Sequence, residues 1–345
     1  MSLATLWFVL IAVLWIGFFV LEGFDLGVGM LHSFVGRNEA ERRMVINTIG
    51  PFWDGNEVWL IVAAAAMFAA FPAWYATMFS ALYLLMVLAL VGLIARGVSF
   101  EFRGKVESVR WRRTWDVAMT VGSAIVAGGL GVALGNLLHG LPINSSQQYT
   151  GSFWDLLQPY ALFTGLTVLL LCLVHGATFL GLRTEGEARQ RARRLAKWIA
   201  PLAGLALLGF VIWTHASQDN GFLLSPIELI ALIAVFAAAW LASGGYEGWA
   251  FTATTVAIAA MIGSIFVDLY PRVMVSSTNS AYSLTVSGTA SGSYALKLLT
   301  IIAVVFLPVV LAYQAWSYFV FHRRVATHHF ESTSPGADVA TAPPT

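Results

Sequence analysis

The chain has 345 residues, 58% hydrophobic and 11% charged, with a formal net charge of +1 and a mean hydropathy of +0.76. Soluble domains carry about 25% charged residues, so a water-soluble globular protein is excluded and an all-α polytopic membrane protein is expected. The net charge by itself says little, no nucleic-acid partner is expected, and the single cysteine, Cys172, excludes an internal disulfide or a cysteine metal site.

Apolar runs of about 20 residues mark spanning helices. Nine are expected, at roughly 6–33, 47–71, 75–98, 115–139, 156–182, 195–216, 225–243, 248–270 and 295–321. The first run lacks a positive n-region and an obvious A-x-A site, so it reads as a retained helix. The seventh is short, and only the turn Ser243-Gly244-Gly245-Tyr246-Glu247-Gly248 separates it from the eighth. Residues 1–325 therefore read as a single transmembrane domain, and 326–345, rich in Ser, Thr, Ala and Pro, as a disordered cytoplasmic tail.

Lysine and arginine set the orientation. The loops after the first, third, fifth and ninth runs hold seventeen of the nineteen basic residues, and only Arg272 and Lys297 fall on the other side. The expected topology is N-terminus outside and C-terminus in the cytoplasm. The outer loops, 139–151 and 271–293, are polar and read as connections rather than folded domains.

Two acid pairs interrupt the first two runs: Glu22 with Asp25, and Asp54 with Glu57. Each has i, i+3 spacing, which on a helix puts both acids on one face. An ionisable group in a membrane costs a few kcal/mol, so it is usually functional or paired. Asp25 is eight residues from the inner end of the first run and Asp54 seven past Asn47. Both are therefore expected about 10–12 Å from the cytoplasmic edge. Pro51 lacks a backbone donor and is expected to kink or start the helix, while nearby glycines permit close helix approach.

The functional reading is a proton entry path with carboxylate relays. Asp54 is favoured because Trp53, Asn56 and Trp59 could fix its position; Glu57, Asp25 and Glu22 follow. The plainer reading is a set of buried acids pinned by hydrogen bonds or by Arg96 and other loop arginines.

Of seven histidines, only His175 falls within a helix, where packing is favoured over metal ligation. No haem or metal site of the chain's own is expected, because haem needs paired axial ligands. Tryptophans and tyrosines near helix ends read mainly as an interfacial belt. The basic loop 101–113 would sit on anionic lipid, though topology alone accounts for it. Glu228, Asp268 and Asp155 are expected to be solvated at outer helix ends, and Asp116 to open the fourth helix.

Longer motifs then carry a resemblance. Glu22-Gly23-Phe24-Asp25-Leu26-Gly27-Val28-Gly29-Met30, Gly36-Arg37-Asn38-Glu39, Glu41-Arg42-Arg43 and Trp53-Asp54-Gly55-Asn56-Glu57-Val58-Trp59-Leu60 resemble subunit II of cytochrome bd-type quinol oxidases. So do Arg110-Trp111-Arg112 with Trp115-Asp116, Gly135-Asn136-Leu137-Leu138 and Gly151-Ser152-Phe153. The match runs over nearly the whole chain and is densest in the first 140 residues.

The resemblance implies a heterodimer in the bacterial cytoplasmic membrane, with possible small accessory subunits. A haem-bearing subunit I (b and d types) would oxidise quinol and reduce oxygen to water. It implies two four-helix bundles plus one peripheral helix, no haem on this chain, and in some members a structural quinone. It also implies that Asp54 delivers protons from the cytoplasm. Glu22 stands where other members can have aspartate, so a carboxylate is kept. The rival reading is a proton- or cation-coupled secondary transporter, which would place polar groups at the midplane of both halves.

Overall fold

The computed structural model describes residues 1–218 and 224–330, and they are almost entirely helical. Helix α1 (Leu3–Val35) starts at Ser2, whose side chain accepts from the Thr5 amide at 3.1 Å. At ~1.5 Å per residue its 33 residues reach about 50 Å, beyond the ~30 Å hydrocarbon core. Residues 22–32 of α1 are buried without interruption, the pattern of a helix enclosed on all sides.

A short amphipathic helix α2 (Glu39–Asn47) follows, then α3 (Trp53–Ala70), α4 (Pro72–Ala81) and α5 (Tyr83–Phe102). The second spanning run therefore begins six residues later than expected. Asn47 ends α2, a turn through Gly50 and Pro51 intervenes, and Asp54 falls in the first turn of α3. The third run breaks at Leu82, leaving α4 as a separate outer segment.

Helices α6 (Val109–His139), α7 (Pro159–Arg183), α8 (Gly186–Gln218), α9 (Pro226–Gly244) and α10 (Glu247–Leu269) complete the main body. Ser108 caps α6, so Asp116 lies two turns inside it rather than at its start. Gly245, at φ +86°, closes α9 in the left-handed conformation and makes α9 and α10 separate helices.

On the opposite end from α2, strands β1 (Arg272–Met274) and β2 (Leu284–Thr285) pair antiparallel and are followed by the short α11 (Val286–Thr289). Leu141 bonds to Val275 and Ser277, so the two loops expected to be plain connections form one small ordered cap. Helix α12 (Ser293–Val320) ends the membrane part. Residues 327–330, at the expected start of the tail, form a short 3-10 turn beside α2. Residues 331–345 of that tail lie outside the described residues.

Among the described residues, eight helices are long and apolar enough to cross a membrane. The 18-residue α3 falls outside that set because Asp54, Asn56 and Glu57 lower its hydropathy. Helix α1 packs on α3, α6, α7 and α10, α5 packs on α6, and α7 to α10 pack in succession. Two four-helix groups thus meet along α1, α6, α7 and α10, while α12 lies against α3 and is almost wholly exposed. The tightest crossing joins α1 and α7. A Cβ added at Gly27 would lie 2.0 Å from the Cys172 carbonyl oxygen, so the two backbones touch.

Candidate functional site

The enclosed segment of α1 and the first turns of α3 bring four of the expected polar residues together. Glu22, Asp25 and Asn56 are buried, and the Glu57 side chain is one-fifth exposed. Arg96, three turns into α5, is wholly buried among them. Its Nη1 forms ion pairs with Glu22 and, at 2.7 Å, with Glu57. Arg96 is therefore a guanidinium within the site, not a loop arginine.

Asn56 is the hub of the remaining contacts. Its Nδ2 donates to Asp25 Oδ2 at 2.6 Å and to the Leu21 carbonyl at 3.1 Å. Its Oδ1 accepts from Gln314 Nε2 at 3.1 Å and from the Tyr318 hydroxyl at 2.9 Å. Trp59 Nε1 donates to Gln314 Oε1 at 2.8 Å, so α12 is tied to α3 by polar bonds. Trp53 stacks on Phe100 with centroids 4.7 Å apart and braces α3 against α5. Glu22 Oε2, Asp25 Oδ1 and Arg96 Nε and Nη2 are buried without a hydrogen-bond partner among the described residues.

Asp54 stands apart from this cluster. It is exposed and lines a cleft of about 400 Å³ between α3 and α12, with Asn56, Trp59, Gln314 and Tyr318 in the same wall. Three residues of helix advance about 300°, so Asp54 and Glu57 diverge by about 60°. One faces the cleft and the other Arg96, which corrects the expectation of a shared face. The later start of α3 puts Asp54 nearer the helix mouth, where the N-terminal dipole favours a carboxylate.

Gln314 and Tyr318 are site residues that the sequence analysis did not single out. Gln314 is the one side-chain amide in the last apolar run, and Tyr318 is one turn further on the same face. That spacing is the signal that could have found them.

Two further polar groups flank the bundle. At the end bearing α2, Arg103 donates from Nε to Asp116 at 2.6 Å and from Nη1 and Nη2 to Glu39 at 2.9 and 3.0 Å. His32 Nε2 lies 3.1 Å from Asp116. Burial pushes the Glu39 carboxyl up, but hydrogen bonds and charge from Arg103, with the charge of Arg112, hold it below the usual carboxylate range. At the other end, Glu228 is buried rather than solvated. It caps α9 through Ser225 and lies 3.0 Å from His215, while Asp268 is half-buried.

His175 is wholly buried and both ring nitrogens are engaged, Nδ1 with the Thr254 hydroxyl at 2.7 Å and Nε2 with the Val20 carbonyl at 3.0 Å. Its ring stacks on Phe251, so it offers no nitrogen to a haem iron.

The family model for cytochrome bd terminal oxidase subunit II matches residues 3–321. The cytochrome bd ubiquinol oxidase subunit 2 of Bacillus subtilis is 46% identical over 329 residues, covering 94% of this chain and 97% of that protein. The chain belongs to the cytochrome bd terminal oxidase subunit II family. The cytochrome bd-I ubiquinol oxidase subunit 2 of Escherichia coli strain K12 is 37% identical over 365 residues, covering 94% of this chain and 96% of that one. A chain of the bd oxidase from Geobacillus thermodenitrificans superposes with a TM-score of 0.73 at 18% identity, covering 93% of this chain and 99% of that chain, and shares the fold. The protein is thus a subunit of a bacterial membrane oxidoreductase complex, and the transporter reading loses its ground.

Proposed function

We propose that this chain is the non-haem subunit II of a complex that oxidises quinol and reduces oxygen to water. In this reading it stabilises a haem-bearing subunit I and admits protons from the cytoplasm through Asp54. Family membership implies haem in the complex and a partner subunit to hold it. The described histidines that are buried inside helices are already hydrogen-bonded, which suits haem held by the partner.

The proton reading is carried by one observation: an exposed acid in a cleft whose wall also contains the anchor of a buried carboxylate cluster. Asp54 opens the cleft, and Asn56 in the same wall holds Asp25. Behind it, Glu22 and Glu57 share one guanidinium, Arg96, and Asp25 is held by Asn56 beside them. Full ionisation would bury net negative charge at high cost, so the cluster has room for an exchangeable proton. The cleft is large enough for a file of water molecules, each taking ~30 Å³. The distribution of arginine and lysine supports nine crossings, with α3 among them, and an N-terminus outside.

The test is Asp54→Asn in the purified complex, with haem content, quinol-driven oxygen uptake and proton uptake measured together. Unchanged haem with turnover reduced at least tenfold is expected. Full turnover removes Asp54 from the path, and loss of haem assigns it to assembly instead.

A further inference from the structure

We infer that the groove between the ends of α1 and α6, beside α2, binds one anionic phospholipid by its headgroup. The groove has a volume of about 670 Å³, within the ~300–1,000 Å³ range of small-molecule sites. Four arginines line it: Arg37, Arg42, Arg112 and Arg113.

Their existing contacts leave most of that charge unspent. Among the described residues, neither Arg37 nor Arg113 has a carboxylate within ion-pair distance. Arg112 reaches Glu39 only at 3.9 Å, and its Nε is buried without a hydrogen-bond partner. Arg42 is divided between the Gly36 carbonyl at 3.1 Å and Asp116 at 3.4 Å. The two carboxylates in the wall, Glu39 and Asp116, are already gripped from behind by Arg103. The groove is therefore a net cationic concavity, and guanidinium forks match phosphate oxygens in geometry as well as charge.

The second observation selects a lipid over a free anion. Below the arginines the wall becomes apolar: Phe34, Val117 and Val121 are all exposed and all line the same groove. Val117 and Val121 are one helical turn apart, so they form a strip running down α6 from the basic end. An anionic headgroup above and acyl chains along that strip would satisfy both halves. A soluble phosphate would use only the upper half. Asp54 lies elsewhere, so this site and the proton reading stand or fall separately.

The test uses the delipidated complex in mild detergent, titrated with dioleoyl-phosphatidylglycerol or dioleoyl-phosphatidylcholine and read by native mass spectrometry. The wild type is expected to retain one phosphatidylglycerol at least fivefold more tightly than phosphatidylcholine, and millimolar inorganic phosphate is expected not to displace it. Arg37→Gln with Arg113→Gln should abolish that preference, and Arg37→Lys with Arg113→Lys should keep most of it. Arg110→Gln, in the first turn of α6 but outside the groove, should behave as wild type. Equal retention of the two lipids overturns the proposal, as does displacement by phosphate or a groove sealed by the partner subunit. An Arg110→Gln effect equal to that of the double variant overturns it too, because it would mean a diffuse basic surface. If the glutamine variant does not assemble, the lysine variant and the wild-type lipid comparison decide.

Discussion

Arg96→Leu is the most direct test of how the central cluster is held. The wild-type guanidinium is wholly buried and is the one cation within ion-pair distance of both Glu22 and Glu57 among the described residues. Removing one partner of a buried pair typically costs about 3–5 kcal/mol, because the other charge is left uncompensated. Most of that loss belongs to Glu22, which has no exposure, whereas Glu57 is one-fifth exposed and partly screened by solvent. Adding Glu22→Gln to Arg96→Leu removes the worst uncompensated charge and should restore about half of the loss. Glu22→Gln alone leaves Arg96 paired with Glu57 and should cost about 1–2 kcal/mol. The assay is detergent-driven unfolding of the purified complex, followed by tryptophan fluorescence and haem absorption. An Arg96→Leu protein within about 1 kcal/mol of wild type would refute the clamp. So would a double variant no more stable than the single one.

Three other outcomes follow from the contacts and charges around single residues. Asn56→Leu removes four hydrogen bonds, one of them to a buried carboxylate, and should cost about 2–4 kcal/mol in the same unfolding assay. A neutral result would mean that the Asn56 bonds to Gln314 and Tyr318 are not what holds α12. His175→Phe should cost about 1–2 kcal/mol through two lost bonds while leaving haem per complex unchanged; a missing haem band would contradict its packing role. Glu39 and Glu41 both sit below the usual carboxylate range despite burial that pushes them up. Arg103 and Arg112 stabilise the charge on the first, and the Arg37 amide and the Arg191 side chain on the second. Groups of this kind contribute stability above their unfolded value, about 4.5, and lose it as pH falls through the lower folded value. Wild-type stability should therefore fall below about pH 4.5, and Glu39→Gln with Glu41→Gln should flatten that fall.

How much of this was legible in the chain depends on whether the cause is local. Hydropathy located the long helices, because each must satisfy its backbone internally and present an apolar surface. The acids of α1 and α3 stood out for the same reason, since charge in an apolar run is expensive wherever the run folds. What they would meet could not be read, because Arg96, Gln314 and Tyr318 arrive from α5 and α12, 39 to 262 residues away in sequence. Nor could the periodicity of one helix say that Asp54 and Glu57 part company. An i, i+3 pair subtends about 60°, which is a shared face when a helix lies against one neighbour. Helix α3 packs on α1 with α12 on the Asp54 side and Arg96 of α5 on the Glu57 side, so the same angle becomes a division between a cleft and a core.

That division also bears on what a single substitution can show. A change at Glu22, Asp25, Glu57 or Arg96 alters buried charge, so it perturbs folding and any proton transfer together. Asp54 is exposed, and surface substitutions usually move stability by no more than about 0.5 kcal/mol. Loss of turnover at Asp54 with stability intact therefore reports on transport in a way that no variant of the buried cluster can. Within the cleft, Trp59→Phe keeps an aromatic ring but loses the bond to Gln314 and part of the packing on Gly17, so it loosens α12 while leaving Asp54 in place. If the cleft is an entry path, its width matters, and that width is set where α12 meets α3 through Asn56, Gln314 and Tyr318. An almost wholly exposed helix held to the body by polar bonds is the part of this fold whose position a partner subunit can most easily set.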